Sequence, residues 1–278
     1  MASVLAVVVA RKGSKGLPSK CMLPIGKMPV VEHVLAWCQG LSTPELAVTT
    51  VLSTDIPEAE PLCGRHGALF LPRPAELAGD RTRIEEVLFH AWQEAGQGAD
   101  YLLLVYGNIP VRHAELVQGP VCFLAERPEF DAVFTFQPVE KFNPAWMVDV
   151  CEDELPDWPA AAFRRQDLKP YMIHDGHTVL TRASYFASFW PEEASRRQGR
   201  MYESFGRRIK PWLHDRLVID IDAERDYLLA RAVLLCPDLP SGLVGRPRGA
   251  DWATTGGRPC GVNPDGNGER LPGGKEVR

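Results

Sequence analysis

A chain of 278 residues is long enough to enclose the core of one large α/β domain or two small ones. Its apolar share of 45% and charged share of 24% are those of a globular protein, and a net charge of −5 excludes nucleic-acid binding by bulk electrostatics. Any polyanionic partner must therefore be met by a local cluster of cations. The seven cysteines, an odd number without a C-x-x-C pair, predict reduced thiols and a cytoplasmic setting rather than a zinc site or a disulfide framework. No run of about 18 apolar residues is present, so no membrane span is expected.

The opening MASVLAVVVA is apolar, lacks a basic stretch before it and is followed by cations. It reads as a buried strand, Val4–Ala10, and not as a signal peptide. Val30–Gln39 then follows a helical pattern, Ala47–Ser53 a strand, Arg83–Glu94 a second helix and Tyr101–Tyr106 another strand. Ala132–Gln137 is strand-like. Lys141–Pro191 is irregular, rich in Pro, Trp and charge, with short strand-like pieces such as Thr178–Thr181, and reads as an inserted arm. Leu217–Ile221 is read as a last strand and Ala223–Leu235 as a last helix, with Asp222 in the N-cap position. Short Val/Leu/Ile runs alternating with helices predict βαβ units and a mostly parallel sheet covered on both faces. That organisation places one α/β domain over residues 1–237. Residues 238–278, with ten Gly and five Pro, are expected to be a disordered tail.

The first strand runs directly into RKGSKGLPSK, where Arg11, Lys12, Lys15 and Lys20 surround Gly13 and Gly16. Like charges at that density call for an anion among them, or else for full solvation. A strand, a Gly-containing loop and a helix together bring backbone N–H groups to a phosphate, and glycine permits the close approach. The spacing is neither a Walker A loop nor a dinucleotide fingerprint, since Gly13 and Gly16 form only a GxxG. Residue chemistry alone leaves a phosphate site and a solvated basic turn both open.

Near the other end, LVIDIDAERDYLLA carries Asp220 and Asp222. On a strand, residues i and i+2 share a face, so their carboxylates repel unless a cation lies between them or one is protonated. Mg²⁺, which takes hard oxygen ligands from one or two carboxylates and from phosphates, resolves the conflict. The alternative is that Asp222 caps the helix and Asp220 pairs with a basic residue.

The order R-x-G-S-K-G-x-P-x-K resembles the N-terminal signature of the acylneuraminate cytidylyltransferases, the CMP-sialic acid synthetases and their relatives. Three further stretches follow in family order. Ser53–Asp80 carries S-T-D and R-P-x-x-L-A, Phe130–Trp146 resembles a family strand and turn, and Arg164–Arg182 resembles an R-Q-D-L block. The D-I-D of Asp220–Asp222 precedes a last helix, as in the family. Four places depart from the pattern: Cys21 replaces Asn, Arg83 and Ile84 replace Ser or Thr, Asp175-Gly176 replaces Asn-Gly, and YGNIPVR at Tyr106–Arg112 replaces Q-P-T-S-P-L-R.

The resemblance covers about residues 3–233 and implies a nucleotide-diphospho-sugar transferase fold with a dimerisation arm at about 141–191. It implies transfer of CMP from CTP to the anomeric hydroxyl of a nonulosonic sugar acid, releasing pyrophosphate, with Mg²⁺ held by Asp220 and Asp222. Nucleotide contacts pass by resemblance to Ala10, Arg11, Gly13, Ser14, Lys15, Gly16, Lys20 and Arg73. Among them, Arg11, Lys15 and Lys20 would offset transition-state charge on the phosphates. Tyr106, Asn108, Arg165 and Gln166 are the sugar-binding candidates, and the altered YGNIPVR segment predicts a changed sugar specificity. The expected partners are CTP and a sugar acid, with a homodimer and no nucleic acid or membrane. The alternatives are a nucleotidyltransferase of the same fold using another NTP or sugar, and a non-catalytic nucleotide-sugar binding relative.

Overall fold

The computed structural model describes residues 1–13, 16–147, 164–193 and 202–236. The predicted tail lies outside these residues, as do residues 148–163 of the predicted arm.

β1 (Ala2–Ala10) is followed by a small hairpin of β2 (Pro24–Ile25) and β3 (Met28–Pro29), and then by α1 (Val30–Gln39). β4 (Leu46–Thr54), α2 (Glu60–Arg65), β5 (Leu69–Pro72) and α3 (Ile84–Ala95) come next. β6 (Tyr101–Tyr106), α4 (Glu115–Glu126), β7 (Ala132–Pro138), β8 (Met172–Arg182), α5 (Ala183–Glu193), β9 (Ile209–Leu213) and α6 (Glu224–Leu235) complete the order. The main sheet has seven strands in the order β5-β4-β1-β6-β8-β7-β9. β5, β4, β1 and β6 run parallel, β8 is antiparallel to both its neighbours, and β9 is parallel to β7. This is the mostly parallel, helix-flanked α/β sheet expected.

The reason β1 is apolar throughout lies in its alternation. Val4, Ala6, Val8 and Ala10 pack into one cluster with Val31, Val34 and Leu35 of α1 and Leu116, Val117 and Val121 of α4. Leu5, Val7 and Val9 face the opposite side, against Val87, Leu88 and Ala91 of α3 and Phe186 of α5. A strand buried on both faces has no polar face to show. Because β4, β1 and β6 run in parallel, their carboxyl ends at Thr54, Ala10 and Tyr106 open on one edge of the sheet, where ligands bind in open α/β folds.

The structure corrects two readings of the sequence. Leu217–Ile221 is not a strand. The ninth strand is Ile209–Leu213, beside β7, and the residues after it carry no ladder. Their apolar character has another cause: Ile219 and Ile221 bury in a third cluster with Ile25, Val30, Val111 and Ala230, flanking the sheet. Nor does Asp222 cap α6. Ala223 occupies that position, and the Asp226 carboxylate accepts from the N–H groups of Asp222 at 3.2 Å and Ala223 at 2.8 Å. A further difference concerns Met172–Arg182, read as part of an insertion. It is an eleven-residue strand at the centre of the sheet.

β8 carries a buried polar network at an irregularity in its pairing with β7, between Phe134 and Phe136. The Asp175 carboxylate accepts from Thr135 Oγ1 at 2.6 Å, from His177 N at 2.9 Å and from His214 Nε2 at 2.5 Å. His177, 0% exposed, accepts the N–H of His113 on Nε2 at 2.9 Å and faces the Thr178 hydroxyl with Nδ1 at 2.8 Å. The ring is thus required in its neutral form with the proton on Nδ1. Burial and the nearby Arg112 charge hold its pKa well below the ordinary 6.5. Asp175 lies below its ordinary value, held there against burial by the hydrogen bond and charge of His214.

Both shifts make acid destabilising. Below pH 6.5 the unfolded chain binds a proton at His177 that the fold refuses, so stability falls with pH by up to about 1.4 kcal/mol per unit. Asp175 adds to the loss only below its ordinary 3.8. Asp220, raised to about 6, acts in the opposite sense, since its protonated form is favoured in the fold. The clean comparison is therefore between variants. His177→Gln, which can still accept from His113, is expected to melt progressively closer to the wild type as pH falls from 8 to 5. A melting-temperature difference independent of pH would remove His177 as the acid-sensitive group.

Candidate active site

A cleft of about 440 Å³ opens at the carboxyl ends of β1 and β6. Its lining includes Ala10, Arg11, Gly16, Lys20, Arg73, Tyr106, Asn108, Asp220 and Asp222, nine residues singled out from sequence and drawn from opposite ends of the chain. Gly13 is described but does not line the cleft. Ser14 and Lys15 lie outside the described residues. Gln166 is exposed on a single turn, Arg165–Asp167, and does not line the cleft, while the Arg165 side chain lies outside the described residues.

The loop after β1 is shaped at both ends. Lys12 N donates to Asp55 Oδ1 at 2.8 Å, which ties the loop's start to the residue after β4. Ser19 takes a left-handed backbone with φ of 52° and leads into the turn Lys20–Met22, which carries Lys20 to the cleft wall. Gly16 is required by proximity: a Cβ there would lie 2.7 Å from the Asp222 carbonyl oxygen. The cationic loop and the aspartate segment therefore touch backbone to backbone, which no larger residue permits.

The cations are anchored differently. Lys20 Nζ lies 2.5 Å from Asp222 Oδ1, with the lysine side chain 18% and the aspartate 72% exposed. Arg11 Nη1 pairs with Asp80 Oδ1 at 2.8 Å at the cleft mouth. Arg73 is buried; its Nη2 donates to the Ser53 carbonyl at 2.7 Å and its Nε to the Ser53 hydroxyl at 3.3 Å. It is thus no surface arginine paired with a carboxylate but a cation built into the end of β4. Burial, and secondarily the charge of Arg11, pull its pKa below the ordinary value, with Asp55 opposing.

The aspartates come from the non-strand segment that follows β9. Asn108 Nδ2 donates to Asp220 Oδ1 in a short contact and to the Ile221 carbonyl at 3.2 Å, while Ile221 N donates back to the Asn108 carbonyl at 3.1 Å. Partial burial and the neighbouring Asp222 carboxylate raise Asp220 to about 6, with Lys20 pulling it back. Two carboxylates in one cleft, one of them reluctant to ionise, form a donor set that fits a hard divalent cation. Among the described residues no group of three or more His, Cys, Asp or Glu gathers around a single point. The remaining ligands of such a cation would then be phosphates and water, the pattern usual for Mg²⁺.

The altered segment after β6 is held by Arg112. Its guanidinium donates to the carbonyls of Ile109, His177 and Tyr106, each at 2.8 Å, and lies 5.1 Å from the Trp37 ring. Gly107 is packed so tightly that a Cβ would lie 2.9 Å from the Val9 carbonyl. Tyr106 faces the cleft, and burial pushes its phenol above the ordinary range. Sequence reasoning missed Val9, Cys21 and Ile84 as cleft lining. Cys21 and Ile84 stand at two positions where the chain departs from the family pattern, which was the available signal. Burial pushes the Cys21 thiol up to about 11, so it is a packing group and not a nucleophile.

The family model described as Cytidylyltransferase matches residues 5–196. The chain is similar to a 3-deoxy-manno-octulosonate cytidylyltransferase of Gemmatimonas aurantiaca, at 34% identity over 42% of this chain and 43% of the relative. It is similar to an N-acylneuraminate cytidylyltransferase of Streptococcus agalactiae, at 26% identity over 66% of this chain and 46% of the relative. The chain thus spans less than half the length of these curated relatives. Among solved structures, a CMP:2-keto-3-deoxy-manno-octonic acid synthetase complexed with CTP superposes with a TM-score of 0.59. It does so over 84% of this chain and 99% of the other, at 18% identity, a likeness of fold.

Proposed function

This chain belongs to the cytidylyltransferase family, and on that premise we propose that it transfers CMP from CTP to a nonulosonic sugar acid. In the proposed reaction the anomeric hydroxyl oxygen bonds to the α-phosphorus of CTP. The bond from that phosphorus to the bridging oxygen breaks, pyrophosphate leaves with the electron pair, and the hydroxyl proton passes to water. The observation that carries the reading is the convergence of Arg11, Lys20 and Arg73 with Asp220 and Asp222 in one cleft. A non-catalytic relative has no use for opposed charges held so close.

Each group has a role its position supports. Lys20 and Arg11 stand where a triphosphate entering the cleft exchanges their carboxylate partners for phosphate oxygens. Arg73, fixed on Ser53, holds its charge without rearrangement, which suits stabilisation of charge as it develops. Asp220 and Asp222 would hold Mg²⁺, which when bound offsets phosphate charge and acidifies a nearby hydroxyl. Tyr106 offers a phenol on the sugar side and Asn108 only its amide oxygen, since its Nδ2 is held by Asp220 and Ile221, where the family pattern supplies an amide and two hydroxyls. The sugar pocket is thus expected to differ from that of sialic acid enzymes, and the curated relatives name two different sugar acids.

The test is pyrophosphate release from each of the four NTPs with Mg²⁺, with and without a panel of nonulosonic acids and 3-deoxy-manno-octulosonate. Release from CTP that depends on one sugar acid is the expected result and names the sugar. Release from another NTP would replace CTP in the proposal. A folded protein that binds CTP but releases nothing with any acid would favour the binding relative.

A further inference from the structure

Asp220 is not held as an open carboxylate. Asn108, 8% exposed, places its Nδ2 on Asp220 Oδ1 and on the Ile221 carbonyl, and closes the contact through the backbone bond from Ile221. The segment that bears the aspartates has no ladder partner, so its hold on the sheet comes from this amide, from Ile221 N on the Asn108 carbonyl and from His113 Nε2 facing the Leu217 carbonyl at 2.9 Å. The amide is neutral. It leaves the carboxylate its charge while occupying one of its two oxygens.

We propose that Asn108 is a specificity-determining residue for the divalent cation: by holding Oδ1 of Asp220 it restricts that carboxylate to one-oxygen ligation and so favours Mg²⁺ over Ca²⁺. The inference rests on the cation reading given under Proposed function. The chemistry follows from the two ions. Ca²⁺ takes about six to eight oxygens at longer range and gains from two-oxygen carboxylate ligation. Mg²⁺ takes six in a tight octahedron, through single oxygens of one or two carboxylates, water and phosphate. With one lone pair of Oδ1 and the space beside it taken by the Asn108 amide, the Asp220 carboxylate suits the second ion and disfavours the two-oxygen grip from which the first gains. Asn108 also stands at one of the positions where this chain departs from the family pattern, so the device belongs to this chain.

The measurement is the affinity of the intact protein for CTP in excess Mg²⁺ and in excess Ca²⁺, by calorimetry and without sugar acid. The wild type is expected to bind at least about tenfold tighter with Mg²⁺. Asn108→Leu, and Asn108→Ser as a second variant should the first not fold, are expected to bring that ratio close to one. A purely structural lesion weakens binding with both cations alike and leaves the ratio unchanged. That result, or a wild type without preference between the two ions, would overturn the inference while leaving the cation reading in place. CTP affinity indifferent to either cation in the wild type would instead overturn the cation reading itself.

Discussion

Asp222→Asn is expected to lower CMP transfer by about a hundredfold or more without loss of the fold. The fold survives because the Asp222 side chain is largely exposed, and the cap of α6 is supplied by Asp226. The same variant separates two roles that activity alone merges. In the unliganded protein, Lys20 is paired with Asp222 at 2.5 Å, so a triphosphate must compete for it. Removing the carboxylate's charge frees Lys20 and takes one negative charge from the path of the phosphates. CTP binding in the presence of a chelator is therefore expected to tighten, by about fivefold for a pair worth about 1 kcal/mol at a partly exposed site. With Mg²⁺ the order reverses, because the variant has lost a cation ligand. Measured by calorimetry, crossed effects of this kind identify Asp222 as ligand and Lys20 as phosphate contact. Near-normal turnover in Asp222→Asn would remove Asp222 from the mechanism, and weaker chelator-phase binding would remove the competition for Lys20.

How much of this was legible follows from where each residue's information lies. β1 and its loop were legible because one run of alternating buried residues and one cluster of cations each signal on their own. The cleft was legible in composition, since nine of the singled-out residues line it. Three features were not. β8 looks irregular because its interior residues Asp175, His177, Thr178 and Thr181 are polar, and only the buried network explains polar residues at the centre of a sheet. The segment at Leu217–Ile221 has a strand's apolarity because it packs under α6, and a buried coil and a buried strand share that composition. Arg73 and Asn108 owe their settings to contacts 20 and 112 residues away, which local pattern does not carry. The spacing argument for Asp220 and Asp222 placed them together on a strand face. They are together, but the clamp from Asn108 and the pairing with Lys20 bring this about, not a pleat.

Arg112 carries the remaining large effect. Three carbonyls, those of Tyr106 at the end of β6, of Ile109 in the segment after it and of His177 in β8, converge on one guanidinium. Burial pulls its pKa down to about 10, so it stays charged at neutral pH while its hydrogen-bonded partners are neutral dipoles. Lysine offers a single point and cannot span three acceptors in a plane, so Arg112→Lys retains charge without the fork. Arg112→Met keeps the packing against Trp37 but leaves the carbonyls without their donor. An unsatisfied buried acceptor costs about 1–3 kcal/mol. The half-buried setting of Arg112 and the relief of its desolvation reduce the total, so a loss of about 2–4 kcal/mol in unfolding free energy is expected for Arg112→Met. Arg112→Lys is expected to lose somewhat less. Because the freed loop carries Tyr106 and Asn108, both variants should also lose sugar-dependent turnover at temperatures where they remain folded. Denaturant unfolding of the three proteins decides the first part. A loss under about 0.5 kcal/mol for Arg112→Met, the range of an ordinary surface substitution, would mean that the carbonyls find water and that the loop stands without the fork.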